Sequence, residues 1–500
     1  MCGITGVWGS SDSQSVKTMM ETLVHRGPDA DGLFISANDL GVLGHRRLSI
    51  MDPKGGDQPI YGDSRNQAIV GNGEIYNFPQ LQPDLAQRYS FTTRSDTEAI
   101  LRLYEDQGTA SVEQLDGMYA FAIADQTRLL VARDPIGIKP LYYAEEDGRF
   151  IFASELKAIA QRCDRVQEFP PGTYFDSDSG FSTFYSVPDI PPDQDADPES
   201  LIQAVRKTLE MAVKKRLMSD VPVGCFLSGG LDSSLITAIA KQHLDELHTF
   251  SIGTEGSRDL KAARLVAEHV GTIHHEYVIT PDEVTALLPE ILYYLESFDQ
   301  DLVRSAIPCY FTSRLAAEHV KVILTGEGAD ELFAGYTYYK SVPDDDTLHR
   351  ELRRSVMTLH NINLQRVDRM TMAHSIEGRV PFLDLAMIEL GQRIPASLKL
   401  RGEPIVEKWI LRQAFTDLLP EEIVWRTKEQ FDEGSGTVDL LGDMLSQVMS
   451  ESEATEYQQK HRRDRLRSAE ECHYHRLLME AYDRPEPVLA NVARWAERPV

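Results

Sequence analysis

The sequence predicts a chain of two unlike parts, α+β and then α/β: a strand-rich antiparallel region followed by a parallel sheet wrapped by helices. Three observations lead there. Short β-type runs recur between turn residues at Tyr119–Ala124, Leu129–Ala132, Leu141–Ala144 and Phe150–Ala153, the spacing of antiparallel strands and hairpins. Further on, strand-like runs alternate with helical ones. Val223–Leu227 precedes a helix-type stretch around Ser233–His243, and His248–Ile252 precedes Leu260–His269. His275–Ile279 follows, and Val320–Leu324 runs into a glycine turn, an alternation that argues for a parallel sheet. Between the two patterns lies Ser186–Ser200, SVPDIPPDQDADPES, whose prolines and aspartates bury too little apolar surface to fold alone. The expected units are therefore residues 2–185, a linker at 186–200, and residues 201–500.

Bulk properties fit and narrow this. Five hundred residues call for about two to four domains. With 51 basic against 78 acidic residues the net charge is −27, which repels phosphate backbones and anionic lipids at long range. Nucleic acid and membrane surfaces are not expected partners. Nucleotide binding is untouched by that argument, because it depends on a local nest of amides and cations. The five cysteines show no CxxC or other metal spacing, so neither a disulfide framework nor a zinc site is suggested, and a reducing cytoplasm is expected. No apolar run approaches the ~18 residues of a membrane span, and no secretory signal is read at the start.

Chemistry begins at residue 2. Removal of Met1 would leave Cys2 with a thiol and a free α-amine, whose pKa of roughly 7.7–8.0 suits it as base toward its own side chain. Alone, Met1-Cys2-Gly3 also reads as a small buried residue near a terminus. Downstream, however, His25-Arg26-Gly27-Pro28-Asp29, Gly44-His45-Arg46-Arg47-Leu48-Ser49-Ile50, Asn72-Gly73-Glu74-Ile75-Tyr76-Asn77 and Ser95-Asp96-Thr97-Glu98 occur in order. Together they resemble the glutaminase domain of N-terminal-nucleophile amidotransferases. The resemblance implies that Cys2 attacks the glutamine side-chain amide and that Asn72 and the Gly73 N–H hold the oxyanion. It further implies that Arg47 takes the α-carboxylate, while Glu74 and Asp96 take the α-ammonium. Arg26 and Asp29 are expected to shape the loop beside Cys2.

The strongest local signal is Leu227-Ser228-Gly229-Gly230-Leu231-Asp232-Ser233-Ser234, in which an apolar strand runs into Ser-Gly-Gly and a helix opens at Asp-Ser-Ser. Glycines let backbone approach phosphate, hydroxyls donate to it, and the helix start adds positive potential. An N-cap cluster on an ordinary helix has the same ingredients. The whole run resembles the pyrophosphate loop of ATP pyrophosphatases, which cleave ATP between the α and β phosphates. No GxxxxGK[ST] loop, no GxGxxG and no GxSxG occurs; Phe226 stands where the last would need glycine. A second glycine turn, Thr325-Gly326-Glu327-Gly328-Ala329-Asp330, crowds carboxylates that need a cation or an ammonium among them.

Other stretches resemble glutamine-dependent asparagine synthetases: Asp259–Ala263, Gly271–Glu276, Ile376–Asp384 and Trp425–Phe431, so that the likeness runs over roughly residues 2–435. It implies an N-terminal-nucleophile αββα sandwich followed by a doubly wound parallel sheet with a helical C-terminal part. It also implies ATP and Mg²⁺, the latter on Asp232 and Asp330, with Glu327 as base toward ammonia and Lys428 over the α-phosphate. Arg379 and Arg304 are the expected guanidiniums for adenylate or acceptor, whereas Lys408 reads equally well as solvent-facing. A homodimer is the family expectation. His274 and His275, adjacent on a strand, are expected to point to opposite faces and not to share an ion, and His473 and His475 read as structural. One departure stands out: a Thr-Thr-Ile-Arg-Ala-Ser stretch expected at the acceptor site is Asp301-Leu302-Val303-Arg304-Ser305-Ala306 here. It keeps open an acceptor carboxylate other than aspartate.

Overall fold

The computed structural model describes residues 2–63, 65–428, 434–436 and 449–495. Its first part holds twelve strands: β1 (Cys2–Trp8), β2 (Ala30–Ile35), β3 (Gly41–Arg47), β4 (Ile60–Tyr61), β5 (Ala68–Ile75), β6 (Gly117–Ala124), β7 (Leu129–Arg133), β8 (Tyr142–Glu146), β9 (Arg149–Ala153), β10 (Gln167–Glu168), β11 (Thr173–Asp176) and β12 (Gly180–Thr183). They form two six-stranded antiparallel sheets, ordered β10-β8-β9-β1-β3-β2 and β12-β11-β7-β6-β5-β4. Side chains alternate between faces along each strand. Ile4, Leu43, Val70, Ala122 and Phe152 therefore meet between the sheets. Val42 and Ile151 point outward to the helix Ser13–Thr22, and Ile69 and Ile123 to the helix Asp96–Gln107. Both faces being covered, the strands read as near-continuous apolar runs, and the layers are the αββα sandwich expected.

The second part carries β13 (Val223–Phe226), β14 (His248–Gly253), β15 (Ile273–Val278), β16 (Val322–Leu324) and β17 (Glu377–Arg379). All pair in parallel, in the order β15-β14-β13-β16-β17. The order reverses between β13 and β16. Loops leaving the C-terminal ends of two strands at such a switch point diverge and open a crevice, the standard ligand position in doubly wound sheets. The Ser228–Ser234 and Gly326–Asp330 segments are those two loops.

The expected linker needs correction at its end. Pro198–Ser200 already belong to the helix Pro198–Lys215, because Asp197 caps it by accepting from Ser200 N at 3.0 Å and Pro198 occupies the first turn, where its missing N–H is no loss. The preceding residues lack regular structure but are held: Val187 is buried, and Arg353 donates to the Val187 and Pro188 carbonyls at 2.7 and 2.9 Å.

The two parts share one core. Leu48, Ile50, Tyr76, Met118, Ile136 and Ile138 pack in the same apolar cluster as Val213, Leu227, Val380 and Leu383. Beside it runs a buried charge network. Arg26 donates to Glu155 at 2.6 Å and to both oxygens of Asp368 at 2.7 and 3.1 Å, Arg369 pairs with Glu296 at 2.7 Å, and Lys157 reaches Glu155 and Glu296 at 2.6 and 3.0 Å. Three cations answer three anions. Removing one member strands a buried charge at a cost of roughly 3–5 kcal/mol, so the halves are fastened and not merely tethered.

Candidate functional site

In the first part, β1 brings Cys2 level with Arg47 of β3 and, across the sandwich, within reach of Asn72 on β5. The Cys2 backbone N–H donates to Asn72 Oδ1 at 2.9 Å, and Arg26 Nε donates to the Cys2 carbonyl at 3.0 Å. With Oδ1 engaged, Asn72 Nδ2 is a buried donor that has no partner among the described residues. Gly73 beside it sits at φ 149°, and a Cβ there would lie 2.0 Å from the Met118 carbonyl, so only glycine fits. Burial pushes the Cys2 thiol pKa up, outweighing the N-terminal charge, the Leu48 carbonyl and Arg47, which lower it. The thiol is therefore protonated at rest and needs a base to react.

Arg47 is aimed by the carbonyls of Met51, Asp52 and Pro53 at 3.2, 2.8 and 3.3 Å and by the Asp57 carboxylate at 2.6 Å. Glu74 and Asp96 form a buried acidic pair. Burial, then each other's neighbourhood and Glu377, raise the Glu74 carboxyl well above its usual range. Burial also lifts Asp96 to about 6, although Ile75 N and Thr97 N donate to it at 2.6 and 3.0 Å. A pair this short of positive charge favours a cation between its members.

In the second part a cavity of about 380 Å³ opens at the switch point, lined among others by Ser228, Asp232, Ser233, Gly326, Glu327 and Asp330. Ser228 Oγ and Ser233 Oγ lie 3.1 Å apart across the loop. Gly229, at φ 73°, packs so closely on Ala262 that a Cβ would come within 2.5 Å. Leu227 anchors the loop by donating its N–H to the Phe250 carbonyl at 2.9 Å. Lys408 Nζ bridges Asp232 Oδ2 and Asp330 Oδ1 at 2.5 and 2.6 Å, and Lys428 Nζ reaches Asp330 Oδ2 at 2.8 Å. Burial alone would raise the Asp330 carboxyl, but the two lysines hold it well below its usual range. Glu327 is raised by burial, which its partner Arg366 only partly offsets.

Several sequence-predicted positions move. Arg379 does not reach this cavity. Its register opposite Leu324 places it below the loop, where it is fully buried on Glu377 at 2.6 Å and the carbonyls of Arg216 and Met218, with Glu74 at 3.5 Å. It sits beside Glu74 in the first part instead. Ser234 turns into the buried side of its helix and does not line the cavity. Arg304 does line it, but its fork is taken by Glu470 at 2.8 and 2.5 Å. Asp301, the unexpected acid, is answered by Arg467 at 3.2 Å. Lys408, read as equally solvent-facing, is buried between the two aspartates. Arg366 and Asn363 were not anticipated; both project into the cavity from the buried helix Asn363–Met372, and nothing in their local sequence marks them. Glu429, Gln430 and Phe431 of the Trp425–Phe431 stretch lie outside the described residues.

An N-terminal cysteine site on an αββα sandwich, fused to a doubly wound domain with a phosphate-type loop at its switch point, defines the class of two-site glutamine amidotransferases. Comparison with known proteins agrees. Residues 1–179 match the family described as a glutamine amidotransferase domain, and residues 204–343 and 340–497 match asparagine synthase. Asparagine synthetase B [glutamine-hydrolyzing] of Escherichia coli (strain K12) is 38% identical over 479 residues, covering 91% of this chain and 86% of its own length. A probable asparagine synthetase [glutamine-hydrolyzing] of Dictyostelium discoideum is 37% identical over 99% of this chain and 96% of its own. Asparagine synthetase [glutamine-hydrolyzing] 3 of Arabidopsis thaliana is 40% identical over 90% and 82%. The chain belongs to the glutamine-hydrolysing asparagine synthetase family.

Proposed function

We propose that this chain converts ATP, L-aspartate, L-glutamine and water to AMP, diphosphate, L-asparagine and L-glutamate through β-aspartyl-AMP. The observation that carries the reading is that the residues proposed for both half-sites lie in one chain whose two parts share one apolar core.

Removal of Met1 frees the Cys2 α-amine, which takes the thiol proton as Sγ attacks the glutamine amide carbon. The oxyanion forms against Asn72 Nδ2 and the Gly73 N–H, a pair of donors worth on the order of 10²–10³ in rate each. The amine returns its proton to the leaving ammonia, and water then releases glutamate from the thioester. Arg47 meets the glutamine α-carboxylate, and the under-compensated Glu74–Asp96 pair meets its α-ammonium. Ammonia passes between the two sites, and Met118, Ile136 and Val380 belong to the apolar cluster that the two parts share.

At the second site, an aspartate β-carboxylate oxygen attacks the α-phosphorus and diphosphate leaves into the Ser228–Ser234 loop. Ammonia then attacks the acyl carbon, Glu327 accepts its proton, and AMP departs. Lys428 and Lys408 stand where negative charge gathers. Asp232 and Asp330 fit Mg²⁺: they offer oxygen only, and Asp232 Oδ1 is buried without a hydrogen-bond partner among the described residues. When bound, the ion would neutralise the phosphates. Arg304 would exchange Glu470 for the acceptor carboxylate. Five buried free cysteines suit a reducing cytoplasm. Among the described residues no helix is long and apolar enough to cross a membrane.

The reading is tested by diphosphate release from MgATP with glutamine, with and without aspartate. Aspartate-dependent diphosphate with asparagine, AMP and glutamate is expected. Glutamine hydrolysis with aspartate inert would assign another acceptor.

A further inference from the structure

We propose that His461, Asp464 and His475, none of which lines the synthetase cavity, form a divalent transition-metal site whose two-nitrogen, one-oxygen donor set fits Zn²⁺. His461 caps the C-terminus of the helix Glu451–Lys460, Asp464 ends the single turn Arg462–Asp464, and His475 projects from the middle of the helix Ala469–Ala481. One ligand atom from each lies within 4.8 Å of the others.

The geometry separates this cluster from an ordinary hydrogen-bonded one. Asp464 Oδ2 stands 3.7 Å from His461 Nδ1 and 3.3 Å from His475 Nε2. Two ligands of a tetrahedral ion, each about 2.1 Å from it, are about 3.4 Å apart. His475 Nε2 is buried and, despite the 3.3 Å approach, makes no directed hydrogen bond to any described residue. The other nitrogen, Nδ1, is 3.0 Å from Tyr457 Oη. With Nδ1–H donating there, the Nε2 lone pair is turned to the cluster, the outer-partner arrangement typical of ligating histidines. The rings of His461 and His475 cross at 61°, so their lone pairs can converge.

The other histidine group, His248, His275 and His319, lacks this property. Its rings stack with interplanar angles of 10°, 18° and 26°, and His248 Nδ1 and His275 Nε2 already face each other as a hydrogen bond of 2.9 Å. The ion would have a structural consequence. Arg494 donates to the Asp464 and Arg465 carbonyls at 3.2 and 2.7 Å and lies over Phe298, against whose ring His475 also packs. The next residue, Trp495, lines the synthetase cavity. A metal here would pin the turn that seats the C-terminal stretch on that cavity.

The test is equilibrium dialysis of the chelator-stripped full chain against Zn²⁺, with the bound metal counted by mass spectrometry, and the visible spectrum of the Co²⁺ form. One ion per chain is expected, with a tetrahedral Co²⁺ spectrum. Both should be lost in His461→Ala and in Asp464→Asn and kept in His319→Ala and His473→Ala, while Tyr457→Phe should weaken binding roughly 10–100-fold. His475 is fully buried and its replacement endangers the fold, so the two partly exposed ligands carry the test. Binding unchanged in His461→Ala and Asp464→Asn, binding lost only in His319→Ala, or no binding at all would overturn the proposal.

Discussion

Each half of the molecule sets two carboxylates side by side, Glu74 and Asp96 buried and Asp232 and Asp330 half-buried, and the halves treat them oppositely. Glu74 and Asp96 are left short of positive charge: burial raises both, Asp96 to about 6, and Arg379 stands no nearer to Glu74 than 3.5 Å. Asp232 and Asp330 are bridged by Lys408, with Lys428 behind it, and Asp330 is held well below its usual range. On the proposed function, the difference follows from what each pair would meet. A pair that receives an ammonium keeps its affinity only if no resident cation satisfies it first. A pair that works beside a polyphosphate needs cations in place before so much negative charge arrives.

The largest effects come from separating the halves. Cys2→Ala should abolish glutamine-dependent synthesis and leave the ammonia-dependent rate within about twofold, whereas Asp232→Ala should remove both. Steady-state assays with each nitrogen donor check this, and loss of ammonia use in Cys2→Ala would break the two-site division. Asn72→Ala should lower glutaminase kcat on the order of 10²–10³, read as glutamate formation. Next comes Lys408→Met, which leaves two half-buried aspartates with only Lys428 and should lower stability by roughly 1–3 kcal/mol in denaturant titration. Full stability would mean that the lysine bridge does not compensate the aspartates.

The smallest effect sharpens the contrast by pH. Asp96 titrates at about 6, above the ordinary carboxyl, so its charge is present above that pH and lost as pH falls through it. The KM for glutamine should therefore climb below about pH 6, approaching roughly tenfold per unit. The KM for aspartate in the ammonia-dependent reaction should not follow the same curve. A flat glutamine KM down to pH 5 would remove Asp96 from ammonium binding.

What the sequence made legible is contiguous. The strand runs at Tyr119–Ala124 and Leu129–Ala132 fall inside β6 and β7, and the Ser228–Ser233 loop leaves β13 as its strand–glycine–helix order requires. Arg47 and Asn72–Glu74 lie on β3 and β5, whose register is set by alternation, and Asp96 joins them from the start of the helix Asp96–Gln107. What escaped depends on distant elements. Lys408 reaches Asp232 across 176 residues from the turn before the helix Trp409–Ala414, and Arg366 reaches Glu327 across 39 from the helix Asn363–Met372, packing that no local pattern reveals. Arg379 was misplaced because its Pro-Phe-Leu neighbourhood says nothing of its strand register. Pro198 signalled a break but stands in a first helical turn.

The most direct test of the account follows the nitrogen. Wild type and Cys2→Ala are given aspartate, MgATP, glutamine labelled with ¹⁵N at its amide, and unlabelled ammonium, and asparagine and AMP are quantified by mass spectrometry. The account predicts ¹⁵N-asparagine matched by AMP in wild type, and unlabelled asparagine alone in Cys2→Ala. Aspartate-independent AMP, or label reaching asparagine without Cys2, would contradict it.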